Sequence, residues 1–407
     1  MIPLKVLYFA VELWSDIAKR NQCLIRELSK DDAVASALYV NPPVSSSIND
    51  VIKGHFIPSH LGQDRGLHWK ALCGRLTDQV SEKIWTYTGS QKTLPLTRFA
   101  RVQRWEFLNR INISLYCAFI RRFLNRLPGQ ELVVWLSHPF HAFAIGAFPD
   151  RALLVYDWMD DWEQFEILPV ENPKILSDLN QRTLQEADVV FAVSQRLWQR
   201  AKAINRNAFL VPNATKYELF STATPKEPAA AMESIRSPRI GYFGNIGDRV
   251  NFSLLRRVAE MRPDWSIVMI GPVWPHKSES ARWLDALPNV HFLGPQPYQT
   301  LPMFLQGFDV CIIPHTCDAL TASMDPIKLY DYLASGKPIV CTPVAGVERF
   351  ADVLYIAETP AQFVRCLEKA LQENGALSEQ RLQYARENTW QKRAGQVLEI
   401  IKDRLKR

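Results

Sequence analysis

The sequence predicts an α/β protein built as two similar parallel sheets. Three observations lead there. Short aliphatic runs alternate with longer helical patterns, the signature of βαβ units and parallel strands. The chain has 407 residues, too many for one hydrophobic core and suited to two domains of roughly 150–200 residues each. Between the halves, residues 221–238 (STATPKEPAAAMESIRSP) are rich in Ser, Thr, Ala and Pro without a packed-face period, as in a linker.

In the first half the expected strands are Leu4–Ala10, Ala35–Val40, Leu132–Leu136, Leu153–Tyr156, Val189–Val193 and Phe209–Val211. The second half repeats the plan with Ile240–Phe243, Ser266–Ile270, Val290–Leu293, Val310–Ile313, Ile339–Thr342 and Leu354–Ile356. Residues 1–220 and 239–390 then form the two domains, and 391–407 a terminal helix. The segment from about 60 to 128 shows no clear strand. It interleaves Trp69, Trp85, Tyr87, Phe99, Trp105, Phe107 and Tyr116 with basic residues, and reads as an inserted helical region. Such a region lies on anionic headgroups, grips a phosphate-bearing acceptor, binds nucleic acid, or is a solvated hairpin with a core-facing side.

Charge singles out the same region. Residues 98–126 carry seven arginines against Glu106 alone, an excess equal to the net +6 of the whole chain. No apolar run reaches the ~20 residues of a membrane span. The N-terminal MIPLKVLYFAVELW has only Lys5 for a basic region and no small-residue cleavage site, so it reads as a strand rather than a signal peptide, and a cytoplasmic protein is expected. The seven scattered cysteines form no C-x-x-C pair and fit free thiols in a reducing compartment.

Open α/β sheets bind ligands beyond the carboxyl ends of their strands, so the residues there carry the chemistry. One such turn is Gly241-Tyr-Phe-Gly244-Asn245-Ile-Gly247-Asp248-Arg249-Val-Asn251, with Asn251 placed to cap the following helix. Glycines let backbone approach a phosphate, and helix N-termini favour anions. The spacing G-x-x-G-x-x-G is neither the dinucleotide fingerprint nor the P-loop, which argues against a hydride-transfer enzyme or a kinase. Gly244, Asn245 and Arg249 are candidate phosphate ligands, the arginine for its fork of donors.

A second place is Ser323-Met324-Asp325-Pro326-Ile327-Lys328, running on to Asp331 and Gly336. Asp325 suits an N-cap, Pro326 the first helical position and Gly336 the stop. Lys328 falls in the first turn. A cation at the positive end of a helix is mildly unfavourable, by about 0.3–1 kcal/mol, unless an anion sits in front of it. A third place is Ser137-His138-Pro139-Phe140-His141 after an apolar strand, where an imidazole can donate or accept a proton. A fourth is Asp157-Trp158-Met159-Asp160-Asp161-Trp162, whose carboxylates and aromatics suit a divalent cation, a base or sugar hydroxyls. Gly271-Pro272, Gly294-Pro295-Gln296 and Pro314-His315 close further strands.

Asp331-Tyr-Leu-Ala-Ser-Gly336-Lys-Pro338-Ile-Val resembles the signature of family 4 glycosyltransferases and their relatives in cell-surface polysaccharide synthesis. That motif reads acid, seven residues, acid, then E-Y-L-A-x-G-K-P-V-V. The resemblance covers most of residues 130–375. It implies the GT-B fold, two Rossmann-like domains facing a cleft, with the terminal helix crossing back to the first. It assigns Asp331 to the ribose hydroxyls of the donor nucleotide. The first acid falls at Ser323, a departure that leaves the backbone amides of Met324 and Asp325 as sugar or phosphate donors. Members often carry Arg directly after the second glycine and Lys six residues on. Here Asn245 and Asn251 stand there, which leaves Arg249 and Lys328 to hold the diphosphate, with His315 lining it.

Similar enzymes place a histidine near the anomeric centre, a role that falls to His138, helped by Asp160 or Asp161. The resemblance further implies retention of anomeric configuration and no metal or cofactor, with a nucleoside-diphosphate sugar as donor. The acceptor is expected to be a saccharide or a lipid-linked saccharide, reached at the inner membrane face through residues 60–128, and no nucleic-acid partner is expected. A UDP-sugar 2-epimerase of the same fold and a non-catalytic polysaccharide-binding protein are the alternatives.

Overall fold

The structure, a computed structural model, describes residues 3–15, 19–42, 77–88, 106–164, 173–221 and 227–406, with backbone only at 106–113, 115 and 173. Its strands form two sheets. The first comprises β1 (Leu4–Phe9), β2 (Val34–Val40), β3 (Thr77–Ser81), β4 (Ile84–Tyr87), β5 (Glu131–Leu136), β6 (Leu153–Trp158), β7 (Val189–Ala192) and β8 (Ala208–Leu210), in the order β3-β4-β2-β1-β5-β6-β7-β8. All neighbours are parallel except β3 and β4. The second comprises β9 (Arg239–Phe243), β10 (Ser266–Ile270), β11 (Val290–Phe292), β12 (Val310–Ile313), β13 (Ile339–Cys341) and β14 (Tyr355–Ile356). Its order, β11-β10-β9-β12-β13-β14, is fully parallel.

Both sheets reverse direction of winding at one place. In the first, β1 lies between β2 and β5; in the second, β9 lies between β10 and β12. At such a switch point the loops leaving the two central strands diverge and open a crevice. Every central strand is buried on both faces, which is why it reads as an unbroken aliphatic run rather than an alternating one.

The segment expected to be helical is mixed. Helix α2 (Glu106–Leu124), which follows α1 (Arg20–Leu28) in the described chain, is there. Yet β4 extends the sheet beside β2, and β3 closes its edge as an antiparallel hairpin. The run IWTY supplies the pairing: Ile84 and Tyr87 are buried, and Trp85 packs on the core. Trp69, Phe99, Trp105, Cys73, Arg98, Arg101 and Arg104 lie outside the described residues. In the described part of the presumed linker, Ala229, Met232 and Ile235 are buried, and the Ala229 amide bonds Met303 O, so this stretch packs on the second half.

Three more helices position the site. They are α3 (Gln195–Ile204), capped by the Ser194 hydroxyl, α4 (Phe252–Met261), capped by Asn251 through Leu254 N, and α5 (Ile327–Ser335), stopped by Gly336 at φ +69°. The C-terminal α6 (Trp390–Leu405) packs against α1, where Lys402 reaches Asp31 at 3.8 Å and Gln396 donates to Leu210 O.

Candidate active site

The glycine turn leaving β9 is held open by backbone geometry that side chains resist. Gly244 adopts φ +133°, and a Cβ there would stand 2.9 Å from Lys328 Cε and 3.1 Å from its Nζ. Gly271, at φ +140°, presses against it: a Cβ would come within 2.0 Å of Gly244 O. The turn is then stitched to the loop after β12. Asn251 N donates to Pro314 O, Thr316 N to Arg249 O, and Val250 bridges His315. The loops on either side of the switch point thus become one wall.

Lys328, in the first turn of α5, points into that wall. Its Nζ donates to the Tyr242 hydroxyl at 2.9 Å and lies 3.3 Å from His315 Nε2. Among the described residues it forms no ion pair with a carboxylate. Burial, and then the charge of Arg249, push its amine down to about 7. His315 is likewise held well below its usual range by burial and by the charges of Lys328 and Arg249. The Leu329 amide bonds Pro326 O, and the amides before it in the first turn of α5 have no carbonyl four residues back within the helix. Cations, amides and a glycine gap therefore converge where an anion would be welcomed.

Arg249 is turned toward the other half. Its Nη2 pairs with Asp160 Oδ1 at 2.6 Å. Burial raises the Asp160 carboxyl, and Arg249 opposes that rise. Asp161 behaves differently, accepting from Arg200 Nη1 at 2.6 Å and from Ser323 Oγ at 3.2 Å. Ser323 O in turn accepts from Ser194 Oγ at 2.7 Å. Neither aspartate side chain caps the turn Trp162–Gln164, whose amides bond the carbonyls of Asp160 and Asp161. Asp157, third of that acidic trio, is sealed in the core against Arg20 at 2.7 Å. The three carboxylates diverge, and no group of three or more His, Cys, Asp or Glu suited to a metal occurs among the described residues.

His138 sits after β5 with its ring 4.4 Å from that of Trp162. Its Nδ1 accepts the Phe140 amide at 3.1 Å. Burial pushes its pKa down to about 3, so the neutral ring carries its proton on Nε2 and presents a donor rather than a base. His141 packs among Phe9, Phe143 and His138, and burial holds it well below its usual range.

The other expected residues have their own partners. Asp325 does not cap α5, whose N-cap position is Pro326. Its carboxylate instead takes the Asn213 amide at 2.6 Å, the Tyr330 hydroxyl at 2.8 Å and Arg349, because those buried donors outbid a helix end already started by proline. Met324 is core. Asn245 is exposed at the turn, its carbonyl taking the Tyr242 hydroxyl. Asp331 accepts from Thr215 Oγ at 2.7 Å, and burial lifts it to about 7. Tyr242, Arg200 and Asn213 were invisible as site residues: one reads as a strand aromatic, one as a surface helix charge, one as a loop amide.

A family model described as glycosyl transferases group 1 matches residues 237–373. A Bacillus subtilis (strain 168) protein assigned to teichuronic acid biosynthesis as a glycosyltransferase, TuaH, is 26% identical over 278 residues, covering 64% of this chain and 70% of that protein. Among solved structures, sucrose-phosphate synthase of Thermosynechococcus elongatus superposes with a TM-score of 0.67 at 14% identity, over 99% of both chains. Anabaena HepE in complex with UDP-glucose gives 0.62 at 14% identity, over 98% of this chain and 99% of that one. Two parallel sheets in this arrangement give the chain the GT-B fold, and its segment from β9 to the helix after β14 is similar to the group 1 glycosyl transferases.

Proposed function

We propose that the protein transfers a sugar from a nucleoside-diphosphate sugar to a saccharide or lipid-linked saccharide during synthesis of a surface polysaccharide. The observation that carries this reading is Lys328. Its ammonium lies at a helix N-terminus and beside a glycine gap, and no carboxylate among the described residues pairs with it. A diphosphate leaving group develops charge as the glycosidic bond breaks, and fixed cations and amides aimed at that charge favour the transition state. Lys328 and the α5 amides meet it from one side, and Arg249 from the other once it releases Asp160.

No carboxylate among the described residues is poised as a covalent nucleophile, so we assign retention to front-face attack, in which the departing phosphate oxygen takes the acceptor's proton. His138 Nε2–H orients the sugar or the acceptor hydroxyl. We assign charge compensation to these groups rather than to a metal ion, so turnover is expected to survive EDTA. Two similar proteins accord with this reading: HepE is seen with UDP-glucose, and TuaH is assigned to teichuronic acid biosynthesis. A lipid-linked acceptor would be met at the inner membrane face; of the basic stretch suited to that contact, Arg98, Arg101 and Arg104 lie outside the described residues.

The test is release of nucleoside diphosphate from a panel of UDP-, GDP- and dTDP-sugars, with and without membrane lipid extract. Release that requires the extract supports transfer. Release without acceptor, accompanied by an epimerised sugar, indicates a 2-epimerase. Absence of any nucleotide binding indicates a polysaccharide-binding protein.

A further inference from the structure

Where the acid–seven–acid motif has its first acid, this chain has Ser323, buried and 3.2 Å from a carboxylate of the other half. That carboxylate, Asp161, is only 3% exposed. Its Oδ2 is held by Arg200 and Ser323, while its Oδ1 is enclosed and meets no donor among the described residues. A buried carboxylate oxygen left without a donor is costly, and an incoming hydroxyl is the natural remedy, because a carboxylate only accepts. The position also fits. The adjacent Asp160 pairs with Arg249, whose charge acts on Lys328 and His315, so the carboxylate borders the diphosphate pocket.

We propose that Asp161, held by Arg200 and Ser323, accepts a hydroxyl of the donor's sugar ring and so replaces the carboxylate that position 323 lacks. This rests on the nucleotide-sugar reading above. The second half alone then holds the nucleotide and its diphosphate, whereas recognition of the sugar needs an oxygen from the first half. An aspartate that merely joins the halves would affect both ligands alike.

Titration calorimetry separates the two. The probes are UDP-glucose, UDP-galactose, UDP-glucuronate, UDP-N-acetylglucosamine and GDP-mannose, set against UDP and GDP. For a sugar nucleotide that the parent binds, Asp161→Asn is expected to weaken affinity about 10–100-fold while leaving the matching nucleoside diphosphate within about twofold. Adding Ser323→Glu to Asp161→Asn should restore affinity for the sugar form, since the carboxylate returns from the neighbouring backbone. Equal changes for both ligands, or none, overturn the proposal while leaving the donor class intact. Failure of the parent to bind any probe overturns the donor class and this inference with it. Should Asp161→Asn not fold, Ser323→Ala, which keeps the Asp161–Arg200 pair, should still weaken the sugar form alone by a few-fold, and an equal loss for both ligands overturns the proposal.

Discussion

Lys328 is a cation held where it is half-inclined to lose its proton. Its amine sits at about 7, and a bound diphosphate favours the charged form. Donor binding at pH 8 should therefore take up a proton, and affinity should fall as pH rises from 7 to 9. Calorimetry in two buffers of different ionisation heat checks this, with Lys328→Ala, expected to bind about tenfold or more weakly, losing the dependence. For the unliganded fold the sign is reversed. The unfolded lysine titrates at 10.5, so it holds more protons than the native one between about 7 and 10.5, and this residue's contribution to stability rises with pH across that window. His138 is neutral throughout that range, since burial sets it at about 3. Its replacement by Ala should slow turnover by about 100-fold or more while changing nucleotide affinity little, and turnover equal to the parent's would remove it from the mechanism. That Lys328 opens a helix and Arg249 follows a glycine turn was legible, because glycine spacing and a proline-led helix start are local signals. The partners of the Asp325 and Asp331 carboxylates were not legible, because Asn213 and Thr215 lie more than a hundred residues away in the chain.

The glycine wall is the element on which the pocket's shape depends. Gly271→Ala would drive a methyl into Gly244 O and hold a side chain at φ +140°. A loss of about 2 kcal/mol or more is expected, read as a lower urea midpoint. Gly146→Ala, with nothing within 4 Å of the added carbon, serves as the neutral control. Each of the twelve strands expected from aliphatic runs is present to within a few residues, since double-sided burial leaves an unambiguous pattern. Strands β3 and β4 escaped notice. The sequence TDQVS is a largely exposed edge strand, and IWTY, four residues long, lies in a stretch dominated by arginines and aromatics.

At the scale of the molecule, the halves are joined by a buried polar node rather than by apolar contact alone. Asn213 of the first half donates to Asp325 of the second through both its backbone and side-chain amides, and Asp325 holds Tyr330 and Arg349 in turn. Asp325→Ala should cost about 1–3 kcal/mol by stranding those donors, and should widen the scattering profile while sparing nucleotide affinity. The cross-cleft pair of Arg249 and Asp160 has a different consequence. If Arg249 holds the donor's diphosphate as proposed, Asp160 is an internal mimic of that ligand: an incoming donor would evict a tethered competitor, which would reclaim the guanidinium when spent nucleotide departs. Asp160→Asn should therefore make the enzyme a tighter trap for free UDP or GDP and a slower one to empty, a product inhibition that steady-state kinetics would expose.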